Sequence, residues 1–170
     1  MPTPAVQSAL MRAARLHTIG GTVQLDSDVP DPIAGPGEVV VEMAYAAVNP
    51  LDIWVSRGAP GTAGDQLPWT PGVEGTGYVD GAPVLVRGGG IGVIRPGVTA
   101  ERVCVPADAV VALPAGADLA QVAGIGVAGT TAYLSLHDRA HVTSNDRVLV
   151  LGASGGVGAC LLYTSPSPRD

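Results

Sequence analysis

The residues best suited to chemistry begin at positions 149–158, LVLGASGGVG, where an apolar run meets a glycine-rich turn. The spacing is Ala153-x-Gly155-x-x-Gly158, the dinucleotide fingerprint with alanine in the first glycine position. Gly155 lets backbone approach a pyrophosphate with no Cβ in the way, and Gly158 allows a helix to pack closely on the strand before it. A helix N-terminus adds amide donors and a positive partial charge. Ala153, Ser154, Gly155, Gly156, Val157 and Gly158 are therefore the candidate cofactor-binding residues. A glycine turn that serves packing alone would carry the same letters. The apolar strand directly before it is what favours the dinucleotide.

A second group lies in AAVNPLDIWVSRG, residues 46–58, and PGVEGTG, residues 71–77. Asn49-Pro50 is a turn signal after a strand, and Asp52 is placed to cap the short helix that follows. Capping explains both residues without chemistry, and a catalytic site would use the same pair. Gly72, Gly75 and Gly77 imply tight backbone approach, with Glu74 among them as either a buried partner or a surface residue. Metal ligands are scarce: Cys104 and Cys160 match neither a zinc spacing nor a disulfide framework. His17, His137 and His141 are scattered and read as surface or packing residues. Cys104, inside a predicted strand, reads as a buried structural thiol.

Short strands must position these groups. They are predicted over 12–17, 38–47, 78–86, 102–105 and 110–113, with Gly88, Gly89 and Gly90 as a tight connection. At Pro114 the texture changes. Asp118 and Gln121 form a capping box for a helix over 119–125, and a second helix is predicted over 129–140. Asn145-Asp146 then turns the chain into RVLVL, read as a buried parallel strand opening a doubly wound domain. The stretch 160–170, CLLYTSPSPRD, breaks the pattern, because two prolines would cost an interior helix about 3 kcal/mol each. These eleven residues also match the translation of a common transposase-based sequencing adapter and are set aside as non-native.

The formal net charge of −6 argues against nucleic acid or an anionic membrane as partner. All nine basic residues are arginine, a bias expected of a G+C-rich genome. No run approaches the roughly 20 uninterrupted apolar residues of a membrane span, and MPTPAVQSAL lacks the features of a signal peptide. Met11 is an equally natural start, so residues 1–10 are expected to be a disordered extension. The expected location is cytoplasmic.

Five ordered segments resemble one family. VNPLDIWVSRG, PGVEGTGYV, AERVCVPADAVVALPAG (residues 100–116), GTTAYLSL (residues 129–136) and VLVLGASGGVG are similar to blocks of zinc-less quinone oxidoreductases. These belong to the medium-chain dehydrogenase/reductase superfamily, and the resemblance covers residues 11–159. It implies an α/β fold: a GroES-like β-barrel catalytic domain over 11–115, then linker helices and the truncated start of a Rossmann domain over 116–159. It also implies NADPH as cofactor, a quinone or α,β-unsaturated carbonyl as small-molecule acceptor, and a homodimer of the full-length parent formed through the Rossmann domain.

The resemblance places Asn49, Asp52 and Trp54 around the nicotinamide and substrate, and Thr131 beside the nicotinamide from the other side of the cleft. Trp54 stands where Tyr is commoner, which removes a hydroxyl donor. Zinc-dependent members carry Cys where this chain has Asn49 and His where it has Val73, so no zinc is expected. The stretch 78–102 is shorter than in the family, with Gly81-Ala82-Pro83-Val84 in place of Gly-Asp-x-Val. The alternatives are an enoyl-thioester reductase of the same superfamily and a non-catalytic nucleotide-binding protein of this fold. The 170-residue piece itself is expected to be inactive and to bind no cofactor tightly.

Overall fold

A computed structural model describes residues 9–62 and 66–164. It divides into two compact units, Met1–Ala123 and Gly124–Asp170.

The first unit is built on antiparallel strands. β1 (Leu10–Leu16) pairs with β2 (Val23–Pro30) in a small sheet. β3 (Glu38–Ala46), β4 (Glu74–Val79), β5 (Ala82–Arg87), β6 (Arg102–Pro106) and β7 (Val110–Ala112) form the second, in the order β6-β3-β4-β5-β7. Alternation drives the inward face. Val103 and Val105 of β6 and Val84 and Val86 of β5 are buried, and they pack with Val41, Ile91, Val98 and Ala109 in one cluster. A bulge between Met43 and Tyr45 bends β3, and bridges from Ala13 to Ala100 and from Leu16 to Trp69 bring the small sheet against the rest. Leu16 and Trp69 exchange both backbone hydrogen bonds, at 2.7 and 2.8 Å. Their side chains meet Val55 of α1 (Pro50–Ser56) in a second cluster, which fixes that helix to the sheets.

The close approach expected around residues 71–77 is present. A Cβ on Gly77 would strike the Glu42 carbonyl, and one on Gly75 would strike the Tyr45 carbonyl, both across the β3–β4 pairing. Three expectations need correction. The single strand over 78–86 is a hairpin, because Asp80 and Gly81 both take positive φ and join Val79 to its partner Ala82. β2 was absent from the expected elements; its VQLDSDVP is mostly exposed, as a charged edge strand is. The two short helices are one, α2 (Leu119–Leu134), continued by a π-helical turn over Ser135–Arg139. Each interior glycine costs only about 1 kcal/mol, so Gly124, Gly126 and Gly129 do not break it. Its start follows expectation, with the Gln121 amide donating to Asp118 Oδ1 at 3.1 Å. By length and composition Leu119–Arg139 is apolar enough to cross a membrane.

In the second unit the Asn145-Asp146 turn forms, with the Thr143 amide donating to Asp146 Oδ2 at 2.8 Å. RVLVL does not become a strand. Residues 147–150 carry no strand pairing, and Leu149 and Leu151 are each 83 % exposed. A strand exists only through the ladder it makes with a neighbour, and among the described residues this segment has none. The helix after the glycine turn does form: α3 spans Gly156–Thr164 and includes five residues of the stretch set aside as non-native. Pro166 and Pro168 lie outside the described residues.

Candidate functional site

The site is organised by the N-terminus of α1. Asn49 is the N-cap, in extended conformation, and Pro50 follows in the first helical positions, where its missing N–H costs nothing. Asp52 turns back so that its Oδ2 accepts the Asn49 amide at 2.7 Å, while the Asp52 amide donates to the Asn49 carbonyl at 3.0 Å. Capping is therefore a role that the structure gives both residues. The Asn49 side chain also reaches further: its Nδ2 donates to Glu74 Oε1 at 3.0 Å. Ala47 anchors the same junction, its amide donating to the Glu74 carbonyl at 3.1 Å.

Two carboxyl groups are buried here. Asp52 is 7 % exposed and Glu74 1 %, and Asp52 Oδ1 and Glu74 Oε2 have no hydrogen-bond partner among the described residues. Burial pushes the Asp52 carboxyl above its ordinary value, against the backbone amides of Asn49, Val73 and Gly72 that pull it down. Glu74 was not among the expected site residues. Its signal was a lone carboxylate among glycines, which did not separate a buried partner from a surface residue.

Trp54 is 55 % exposed and shares a helix face with Leu51, three residues earlier. Val48, just ahead of the helix, is also largely exposed. Uncovered apolar side chains beside a buried polar cluster are the composition of a binding surface. On another side of α1, Asp52, Ile53, Ser56 and Arg57 border a cavity of about 530 Å³ that Gly72 and Val48 also line. Trp54 does not line it.

The second unit holds the remaining candidates. Gly152 takes φ +69°, and its carbonyl accepts the Gly155 amide at 3.0 Å. The Ala159 amide then donates to the Gly155 carbonyl at 2.8 Å, which is the first α-helical bond of α3. Gly156, Val157 and Gly158 thus belong to the first turn, whose amides have no intrahelical acceptor. A Cβ on Gly158 would strike the Gly152 carbonyl and the Ala153 Cα, so the turn closes only on glycine there. The close packing expected of Gly158 is real, but its neighbour is the turn and not a strand. Ala153 is half-buried and Ser154, Gly155 and Gly156 are exposed. Thr131 is exposed on α2, its carbonyl accepting the Ser135 hydroxyl at 2.7 Å.

The donor set does not suit a catalytic zinc. Asn49 offers a neutral carboxamide with its Nδ2 turned to Glu74, and Val73 is a buried hydrocarbon. Among the described residues no group of three or more His, Cys, Asp or Glu is arranged to hold a metal ion.

Residues 35–89 match the alcohol dehydrogenase GroES-like domain. A quinone oxidoreductase of Sus scrofa is 34 % identical over 162 residues, covering 91 % of this chain and 49 % of that protein. The solved quinone oxidoreductase of Thermus thermophilus, studied also as its complex with NADPH, is 34 % identical with a TM-score of 0.74, covering 89 % of this chain and 48 % of that one. The cobalt- and zinc-bound thermostable alcohol dehydrogenase of Pyrobaculum aerophilum is 31 % identical with a TM-score of 0.79, over 91 % of this chain and 56 % of that one. The chain spans about half the length of the relatives it matches.

Proposed function

We propose that this chain, which belongs to the medium-chain dehydrogenase/reductase superfamily through its alcohol dehydrogenase GroES-like domain, comes from an NADPH-dependent reductase that passes hydride to a quinone or an α,β-unsaturated carbonyl without a catalytic zinc. The observation that carries this reading is the bond from Asn49 to buried Glu74, with Val73 alongside. A catalytic zinc takes about three protein ligands. At two of those places this chain offers a neutral carboxamide and a side chain with no donor atom.

The glycine turn supports the cofactor. The amides of Gly156, Val157 and Gly158 would meet a pyrophosphate, with Ala153, Ser154 and Gly155 forming the turn against it. Bound NADPH supplies the hydride. An acceptor that is already electrophilic needs only that hydride and a solvent proton, so no Lewis acid is required. Trp54 offers an exposed indole on which a planar acceptor would stack, and Asn49 and Asp52 hold the start of its helix in place. By the family resemblance alone, Thr131 is the further residue we propose for contact with the nicotinamide. The net charge of −6 disfavours a nucleic-acid partner.

The test uses the full-length protein of the parent gene: NADPH oxidation with 1,4-benzoquinone and with an enone, with and without a zinc chelator. Turnover that a chelator leaves unchanged is the expected result, and its loss on chelation would refute the zinc-free mechanism. Turnover confined to enoyl thioesters would move the protein to that class. NADPH binding without any turnover would identify a non-catalytic nucleotide-binding protein.

A further inference from the structure

Between the small sheet and β6 lies a cavity of about 420 Å³ that shares no lining residue with the cavity beside α1. The chain has a formal net charge of −6 and only nine basic residues. Three of the nine, Arg15, Arg95 and Arg102, line this one cavity, and Glu38 is the sole carboxylate among the lining residues. We propose that this cavity binds a small organic carboxylate with an apolar body.

Each guanidinium is anchored to the protein, which sets the direction of its fork. Arg15 Nη2 donates to the Pro68 carbonyl at 2.7 Å, Arg95 Nη1 to Glu38 Oε1 at 2.8 Å, and Arg102 Nη2 to Asp31 Oδ1 at 2.6 Å. Arg15 has only a loose ion pair besides, with Asp26 at 3.8 Å. Arg95 and Arg102 are thus largely neutralised by their partners, and Arg15 carries the least compensated charge. Donor capacity is left over: a guanidinium has five N–H groups, and each of the three commits only one terminal nitrogen to its close hydrogen bond. Planar guanidinium forks match a carboxylate in two parallel bonds. Met11, Val29, Pro30 and Ile33 add hydrocarbon to the lining. A bare inorganic anion would leave that apolar lining unused, and a neutral molecule would leave the guanidiniums unused. The volume falls in the range of small-molecule pockets. This inference is independent of the proposed reductase activity.

The experiment titrates the full 170-residue chain with benzoate at constant ionic strength by calorimetry, with benzamide and inorganic phosphate as comparators. Benzoate should bind saturably at one site, at least tenfold tighter than either comparator. Arg15→Gln is the deciding variant, since it breaks no close ion pair, and it should weaken benzoate at least tenfold with the thermal midpoint retained. Cys104 lines the cavity and Cys160 lies on α3, so benzoate should slow maleimide labelling of Cys104 and leave Cys160 unchanged. That second reading decides the matter if Arg15→Gln fails to fold. Benzamide binding as tightly as benzoate, phosphate binding more tightly, unchanged affinity in folded Arg15→Gln, or no protection of Cys104 would each overturn the proposal.

Discussion

Asn49 and Glu74, 25 residues apart in sequence, are joined by a 3.0 Å side-chain hydrogen bond that ties the start of α1 to the start of β4. Because Glu74 is almost wholly buried, the bond has no water to replace it. Replacing Glu74 with alanine strips Asn49 of its acceptor and opens a void, and should cost about 3 kcal/mol of stability. Glu74→Gln keeps a carbonyl acceptor and should cost about 1 kcal/mol. Urea unfolding of the two variants checks the order; equal losses would mean that the carbonyl Gln keeps does not stand in for the carboxylate as acceptor.

Asp52 sets a pH dependence whose sign follows from its burial. Its folded-state carboxyl titrates above the ordinary value near 3.8, so between those two values the folded protein holds more protons than the unfolded one. Stability from this group is present below 3.8 and is lost as pH rises through the raised value. Glu38 and Glu101 work in the opposite direction, since hydrogen bonds from Arg95 and from the Arg12 amide hold their carboxyls low. The contribution of Asp52 is therefore read as wild type minus Asp52→Asn. That difference should favour the wild type more at acid pH than at neutral pH, and the opposite slope would contradict the burial argument.

Gly77 and Gly81 make a controlled pair. A methyl on Gly77 meets the Glu42 carbonyl across the sheet, whereas one on Gly81 meets nothing within 4 Å and strains only its left-handed backbone. Gly77→Ala should cost about 3 kcal/mol and Gly81→Ala about 1 kcal/mol. Denaturant midpoints of the two variants measure the gap. Comparable midpoints would show that β3 and β4 have room the geometry does not indicate.

Gly158 and Gly156 make a second pair, in the nucleotide turn of the full-length protein. A Cβ on Gly158 collides with the turn backbone, while on Gly156 it makes an ordinary contact with Ala128 at 3.7 Å. Gly158→Ala should weaken NADPH binding at least tenfold, and Gly156→Ala should leave it within about threefold, a difference of roughly 0.7 kcal/mol or more between them. Fluorescence titration of NADPH gives both values. Wild-type affinity in both variants would remove the turn from cofactor binding.

Local chemistry was legible in the sequence wherever the interacting residues are neighbours. The valine run of β3, the alternating valines of β6, the Asp118 cap with Gln121, the Asn49-Pro50-x-Asp52 helix start and the Gly152–Gly158 turn all formed where their letters stand. The Asp80-Gly81 hairpin was written there too, in the commonest hairpin dipeptide, although an unbroken strand was expected. What the tertiary structure alone decided depends on partners distant along the chain. RVLVL has the composition of a buried strand and is not one, because strand formation belongs to the pair and not to the segment. Glu74 became a site residue only when the β3–β4 pairing carried it to Asn49. Three arginines from β1, β6 and the loop before β6 became one cavity wall for the same reason. Spacing along the chain sets caps, turns and faces, whereas burial of a charge is a property of the whole packing around it.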